Sequence, residues 1–155
     1  MADAFDKNET EYMEIALLEA RRAAEAGDIP VGAVIVDGTG KIIAQRYNER
    51  EAAGSAASHA ELLCIEDACK KKGSWRLSDC TMYVTLEPCP MCAGAIFNSR
   101  IGRVVCGAKN PKAGALGSVL DLNSYPLNHK CAVRFGALEK ECSALLSDFF
   151  VDKRR

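Results

Sequence analysis

The stretch Thr81-Met82-Tyr83-Val84-Thr85-Leu86-Glu87-Pro88-Cys89-Pro90-Met91-Cys92 decides how this chain folds. Its first half, Thr81 to Leu86, has the β-branched and aromatic content of a strand, with Tyr83 and Val84 at its centre. Pro88 breaks that strand, and a helix follows through Ala93, Ala95 and Ile96. Pro90 suits the first helical turn, where its missing N–H would have had no partner. Cys89 and Cys92 stand at i and i+3 of this turn, so both sulfurs face one way. The helix N-terminus favours their thiolates. Alone, such a pair reads either as metal ligands or as a redox dithiol.

Strands and helices alternate on both sides of this stretch. Met13, Ala16, Leu17, Ala20 and Ala24 form a helical stripe that Gly27 stops. Val31 to Val36 and Lys41 to Tyr47 read as two strands joined by the turn Asp37-Gly38-Thr39-Gly40. Asn48 to Ser58 reads as a loop, and a helix runs from His59 to about Lys72. Arg103 to Gly107 and Cys131 to Phe135 are further strands. Leu145, Leu146, Phe149 and Phe150 give an amphipathic helix at about residues 138–152. The expected fold is α/β, a three-layer arrangement with a mixed five-stranded sheet covered by helices on both faces. Residues 1–155 read as a single domain.

Composition narrows the function classes. The 20 basic and 21 acidic side chains leave a net charge of −1, which does not suggest generalised nucleic-acid binding and leaves any RNA contact to local basic patches. Lys70-Lys71-Lys72, Lys109-Asn110-Pro111-Lys112 and Lys153-Arg154-Arg155 are such patches, each readable as a solvated face. No apolar run approaches the ~18 residues of a membrane span. The start Met1-Ala2-Asp3-Ala4-Phe5-Asp6 lacks the pattern of a signal peptide, so a cytoplasmic protein is expected. Of the eight cysteines, only Cys89 and Cys92 have ligand spacing; the others read as buried reduced thiols.

One of only two histidines, His59, supplies a third ligand type. Neutral imidazole and two thiolates offset Zn²⁺ and leave a fourth position open to water. Glu61, two residues on, can take that water's proton. It can equally close a capping box with Ser58. His129 is a conceivable fourth ligand, which would make the site closed and structural, but it sits in a loop without matching spacing.

His59-Ala60-Glu61 with Pro88-Cys89-Pro90-Met91-Cys92 is the pattern of zinc-dependent nucleobase deaminases. From about Tyr12 to Phe150 the chain resembles the bacterial tRNA adenosine deaminases of the cytidine-deaminase-like superfamily. Ile29-Pro30-Val31-Gly32-Ala33-Val34, Tyr83-Val84-Thr85-Leu86-Glu87, Ser99-Arg100-Ile101-Gly102-Arg103-Val104-Val105, Asn128-His129 and Glu141 to Phe150 carry the more specific likeness. The resemblance implies hydrolytic conversion of adenosine to inosine at the wobble position of a tRNA anticodon. It also implies one Zn²⁺ per subunit on His59, Cys89 and Cys92, with Glu61 moving protons. The partners implied are an anticodon stem-loop and a second subunit, giving a homodimer with no membrane association.

The same resemblance casts Asn48, otherwise a plain turn residue, as a hydrogen-bond partner of the flipped nucleoside, with the Ala60 N–H as a second donor. Phe149 and Phe150 would supply an apolar wall, of which one, Phe149, is taken to approach the RNA. Relatives carry Asp where this chain has Asn110, beside the RNA path, so weaker discrimination between RNA and DNA is expected. Two rivals stand: a guanine, cytosine or cytidine deaminase on the same fold, and a non-catalytic zinc-stabilised RNA-binding module.

Overall fold

The computed structural model describes residues 4–153. Its elements run α1 (Lys7–Glu25), β1 (Gly32–Val36), β2 (Ile42–Tyr47), α2 (Arg50–Ala53), α3 (Ala60–Lys72), β3 (Thr81–Leu86), α4 (Pro90–Asn98), β4 (Arg103–Ala108), a 3₁₀ turn (Leu122–Ser124), β5 (Ala132–Phe135) and α5 (Glu139–Lys153). The five strands form one sheet in the order β2-β1-β3-β4-β5. β1 pairs antiparallel with both β2 and β3, whereas β3, β4 and β5 are mutually parallel. The mixed sheet is the expected one. A hairpin supplies the antiparallel edge, and helical crossovers supply the parallel half.

Alternation along the central strands sorts the core into two clusters. Ala33, Ile35, Met82, Val84, Val104 and Cys106 face α3 and α4, packing with Cys64, Ala68 and Ile96. Val34, Val36, Tyr83 and Val105 face the other way, onto Met13, Ala16 and Leu17 of α1 and Cys142 of α5. The layers are therefore α1 and α5, the sheet, then α3 and α4. Gly32 lets α1 lie directly on β1, since a Cβ there would stand 2.0 Å from the Ala16 carbonyl oxygen.

α1 begins in a reciprocal cap: Asp6 accepts from the Glu9 N–H at 2.8 Å, and Glu9 accepts from the Asp6 N–H at 3.0 Å. Glu9 also pairs with Arg103 and Arg134, tying the helix start to β4 and β5. The Asn48–Ser58 segment, expected as loop throughout, contains the short helix α2. Cys64, Cys80, Cys106, Cys131 and Cys142 are buried free thiols and Cys69 is half-buried. Burial pushes Cys80, Cys131 and Cys142 up to about 12, which keeps them protonated. Among the described residues, no helix is long and apolar enough to cross a membrane.

Candidate functional site

Two helix N-termini meet beyond the end of β3. His59 is the N-cap residue of α3 and Cys89 that of α4, with Pro90 opening the second helix. Neither residue caps its helix with its side chain. The side chains turn toward each other instead. His59 Nδ1 lies 3.7 Å from Cys89 Sγ and 3.5 Å from Cys92 Sγ. All three ligand atoms lie within 4.8 Å of one another. Zn–S and Zn–N bonds of about 2.3 and 2.0–2.1 Å at a tetrahedral angle put S and N about 3.6 Å apart, so the donor set fits Zn²⁺.

Left to themselves, the three groups share protons unevenly. The Cys92 side chain and His59 bring the Cys89 thiol down to about 4. Cys89 and burial push Cys92 upward, and the hydrogen bond with Cys89 raises His59. A cation replaces the protons in this cluster, the usual coupling of metal binding to deprotonation.

Turning His59 toward the metal leaves the first N–H of α3 without its ordinary cap. Asn48 supplies one: its Oδ1 accepts the Ala60 N–H at 2.9 Å across a buried contact. The Ala60 N–H, expected to meet the substrate, is engaged by Asn48 in this structure. Asn48 is only 4% exposed, and among the described residues its Nδ2 has no partner.

Glu61 is 4% exposed, and its Oε1 is buried without a hydrogen-bond partner. The capping box with Ser58 is not formed, because α3 starts at Ala60 and the Ser58 N–H donates to the Ser55 carbonyl. Burial pushes the Glu61 carboxyl up to about 7, against its own backbone N–H and the nearby His59, which lower it. Such a group takes or gives a proton near neutrality.

Ile29, Val31 and Leu86 complete a cavity of about 240 Å³ with Asn48, Glu61 and Asn110. Ligand pockets start near 300 Å³, so this one suits a single heterocycle. Its far wall depends on a residue to which sequence reasoning assigned no role, Glu87. The carboxylate accepts the N–H groups of Asn110 (3.1 Å), Leu116 (3.0 Å) and Ser118 (3.1 Å), and the Ser118 hydroxyl. Burial raises the Glu87 carboxyl, but these four donors outweigh it and hold it below the usual carboxylate range. Gly114 is required here, since a Cβ would sit 2.4 Å from the Glu87 carboxyl carbon. A Glu directly before Pro88-Cys89 was the one visible signal.

The other expected site residues are dispersed. Asn110 lines the cavity, but its Oδ1 accepts the N–H groups of Lys112 (3.2 Å) and Ala113 (3.1 Å), so its acceptor atom is spent on the loop. Phe150, rather than Phe149, shares a neighbouring groove of about 640 Å³ with Asn110, Lys109 and Lys112. Phe149 lines a separate groove of about 400 Å³ with Ala24 and Gly27 at the end of α1. His129 is no ligand: its Nε2 is 2.8 Å from the Ile101 carbonyl and its ring stands edge-on to Phe97. Lys70 to Lys72 end α3 about 18 Å from its start and favour the helix dipole there. Arg154 and Arg155 lie outside the described residues.

Three ligands with a free carboxylate beside them are the equipment of a zinc-dependent hydrolase. The chain belongs to the family defined by the cytidine and deoxycytidylate deaminase zinc-binding region, which matches residues 6–108. It is 48% identical over 145 residues to a tRNA-specific adenosine deaminase of Bacillus subtilis (strain 168), covering 93% of this chain and 89% of that protein. A solved structure from work on A-to-I editing by tRNA:A34 deaminases at the wobble position of transfer RNA aligns with a TM-score of 0.85 and 42% identity, over 88% of this chain and 99% of that one. The guanine deaminase of Nitrosomonas europaea aligns at 25% identity with a TM-score of 0.76, over 92% of this chain and 84% of that one.

Proposed function

We propose that this protein is a zinc-dependent tRNA adenosine deaminase that hydrolyses adenosine to inosine at the wobble position of an anticodon. The observation that carries this reading is Glu61: a buried carboxyl with an unpartnered oxygen, one turn-edge from His59 and facing the same cavity as Asn48. The substrate class rests on the 48% and 42% identities, well above the 25% shared with the guanine deaminase.

His59, Cys89 and Cys92 hold the metal. Zinc in such a site lowers the pKa of water from 15.7 to about 7. Glu61 Oε1 would accept a proton from the attacking water and deliver it to the ring nitrogen N1 of the adenine, leaving oxygen bonded to C6. A second proton passes through Glu61 to the departing amine, so ammonia and inosine leave together. Asn48, fixed by the Ala60 N–H, turns its Nδ2 donor toward the base. Leu86, Val31 and Ile29 exclude bulk water around it. Flipping a base out costs only a few kcal/mol, least in a loop already splayed.

The reading extends to a cytoplasmic homodimer holding RNA across its subunit boundary. In its support, Trp75, Met91, Val119 and Leu127 are exposed apolar side chains. Inosine mapping in tRNA incubated with the zinc-loaded protein tests the activity directly. Ammonia release from a panel of free bases, guanine included, tests the rival deaminase. Inosine at the wobble position is expected; ammonia from guanine with intact tRNA adenosine would replace this reading by the rival.

A further inference from the structure

Two buried side-chain atoms lack a hydrogen-bond partner among the described residues, Glu61 Oε1 and Arg50 Nε. Both belong to residues that line the same cavity. Buried unpaired groups are rare, and each calls for a partner from outside the protein or a functional reason. Glu61 has its reason in the proton transfers. Arg50 has none yet.

Two acids near Arg50, Asp28 and Glu49, are engaged elsewhere, and neither Glu51 nor Glu61 forms an ion pair with it among the described residues. Asp28 spends both oxygens on the backbone, accepting the Ile29 N–H at 2.8 Å and the Glu51 N–H at 2.9 Å. Glu49 pairs with Arg46, which also binds Asp67 at 2.9 Å. Among the described residues no carboxylate forms an ion pair with Arg50. Its Nε is therefore a buried donor without a partner on a half-buried side chain.

Its position is as telling. Arg50 and Ile29 form the wall shared by the inner cavity and an outer one of about 290 Å³, which is bounded by Phe149, Phe150 and Lys153. A base seated over Glu61 leaves its sugar and backbone at this boundary. A planar fork of N–H donors there matches the paired oxygens of a phosphodiester.

We infer that Arg50 binds the phosphodiester flanking the nucleotide in the cavity, so that the site recognises a nucleotide within a chain and not a free base. This rests on the RNA reading above.

The test uses the zinc-loaded protein and anticodon stem-loop RNAs carrying a neutral methylphosphonate on the 5′ or the 3′ side of the target adenosine. For the wild type, one of the two linkages raises KM about tenfold, with kcat changed less than about twofold. Arg50→Gln raises KM to the same degree on unmodified RNA and becomes indifferent to the methylphosphonate. It also lowers the slope of log affinity against log salt by about 1. Arg50→Lys, which keeps the charge without the fork, falls between.

The inference is overturned if neither methylphosphonate affects the wild type, a result independent of how the variants fold. It is also overturned if Arg50→Gln still loses the full tenfold, or if it lowers kcat alone, which would tie the guanidinium to Glu61. A wild-type protein that makes no inosine from any stem-loop removes the RNA reading itself, and this inference with it.

Discussion

Asn48 holds the first N–H of α3 through its Oδ1 at 2.9 Å from Ala60. One residue thus replaces the cap that His59 would surrender to a metal, and the same residue lines the cavity. The carboxamide thus caps the helix with its oxygen and leaves its Nδ2 for the proposed substrate contact.

Asn48→Ala removes both halves. Losing a buried hydrogen bond costs about 1–3 kcal/mol, so kcat/KM falls about 10- to 100-fold. Asn48→Asp keeps the acceptor for Ala60 but has no donor for the base. It should restore the melting temperature and not the turnover. Zinc content, read by elemental analysis, stays at one per chain in both; recovery of full activity by the Asp variant would show that only the cap matters.

Glu61→Ala keeps the three ligands and loses the proton carrier. Zinc content is unchanged while inosine formation drops by about 10²–10⁴-fold or more. Turnover near the wild-type rate would discard the mechanism. Cys89→Ala, or dialysis against a chelator, removes zinc and activity together, and added zinc restores only the dialysed wild type.

Glu87 makes stability dependent on acid. Its folded carboxyl is held below the ordinary value of 4.5, so its contribution is fully present above about that pH. The contribution is lost as pH falls through the lower folded value. Thermal melts from pH 7 to pH 3 should therefore drop more steeply for the wild type than for Glu87→Gln. At pH 7 the Gln variant, which cannot serve four donors as a carboxylate does, is less stable by about 2 kcal/mol or more. Parallel melting curves across this range would deny Glu87 the role.

Asn110 presents a neutral side chain at the cavity, and its oxygen is already taken by Lys112 and Ala113. Asn110→Asp adds charge at the cavity wall and should lower deamination of single-stranded DNA relative to RNA. Equal DNA activity in the two proteins would remove Asn110 from substrate choice.

Much of this molecule is legible along the chain. β3 occupies the expected Thr81–Leu86, because Pro88 and the β-branched run mark its limits locally. The His59, Cys89 and Cys92 cluster is equally plain, since an i, i+3 pair and a scarce His leave few other readings. What stayed hidden depends on distant partners. Ser58 looked like a cap for α3 because Asn48, which does part of that work, lies 12 positions from Ala60. Glu87 received no role because its donors lie 23 to 31 residues downstream. The two phenylalanines could not be told apart before α5 was set against both α1 and the 109–112 loop.

The Glu87 clasp separates inheritance from novelty in this protein. The segment from Asn110 to Ser118 is moored at its two ends to a carboxylate on the sheet, and its intervening side chains carry none of the ligands. Lys112 and Ala113 can therefore be exchanged by mutation while the metal, its carboxylate and the hydrolytic step are left as they are. A rewritten loop in this chain can therefore reshape one wall of the cavity without moving the ligands, provided Glu87 and Gly114, which faces it, stay in place.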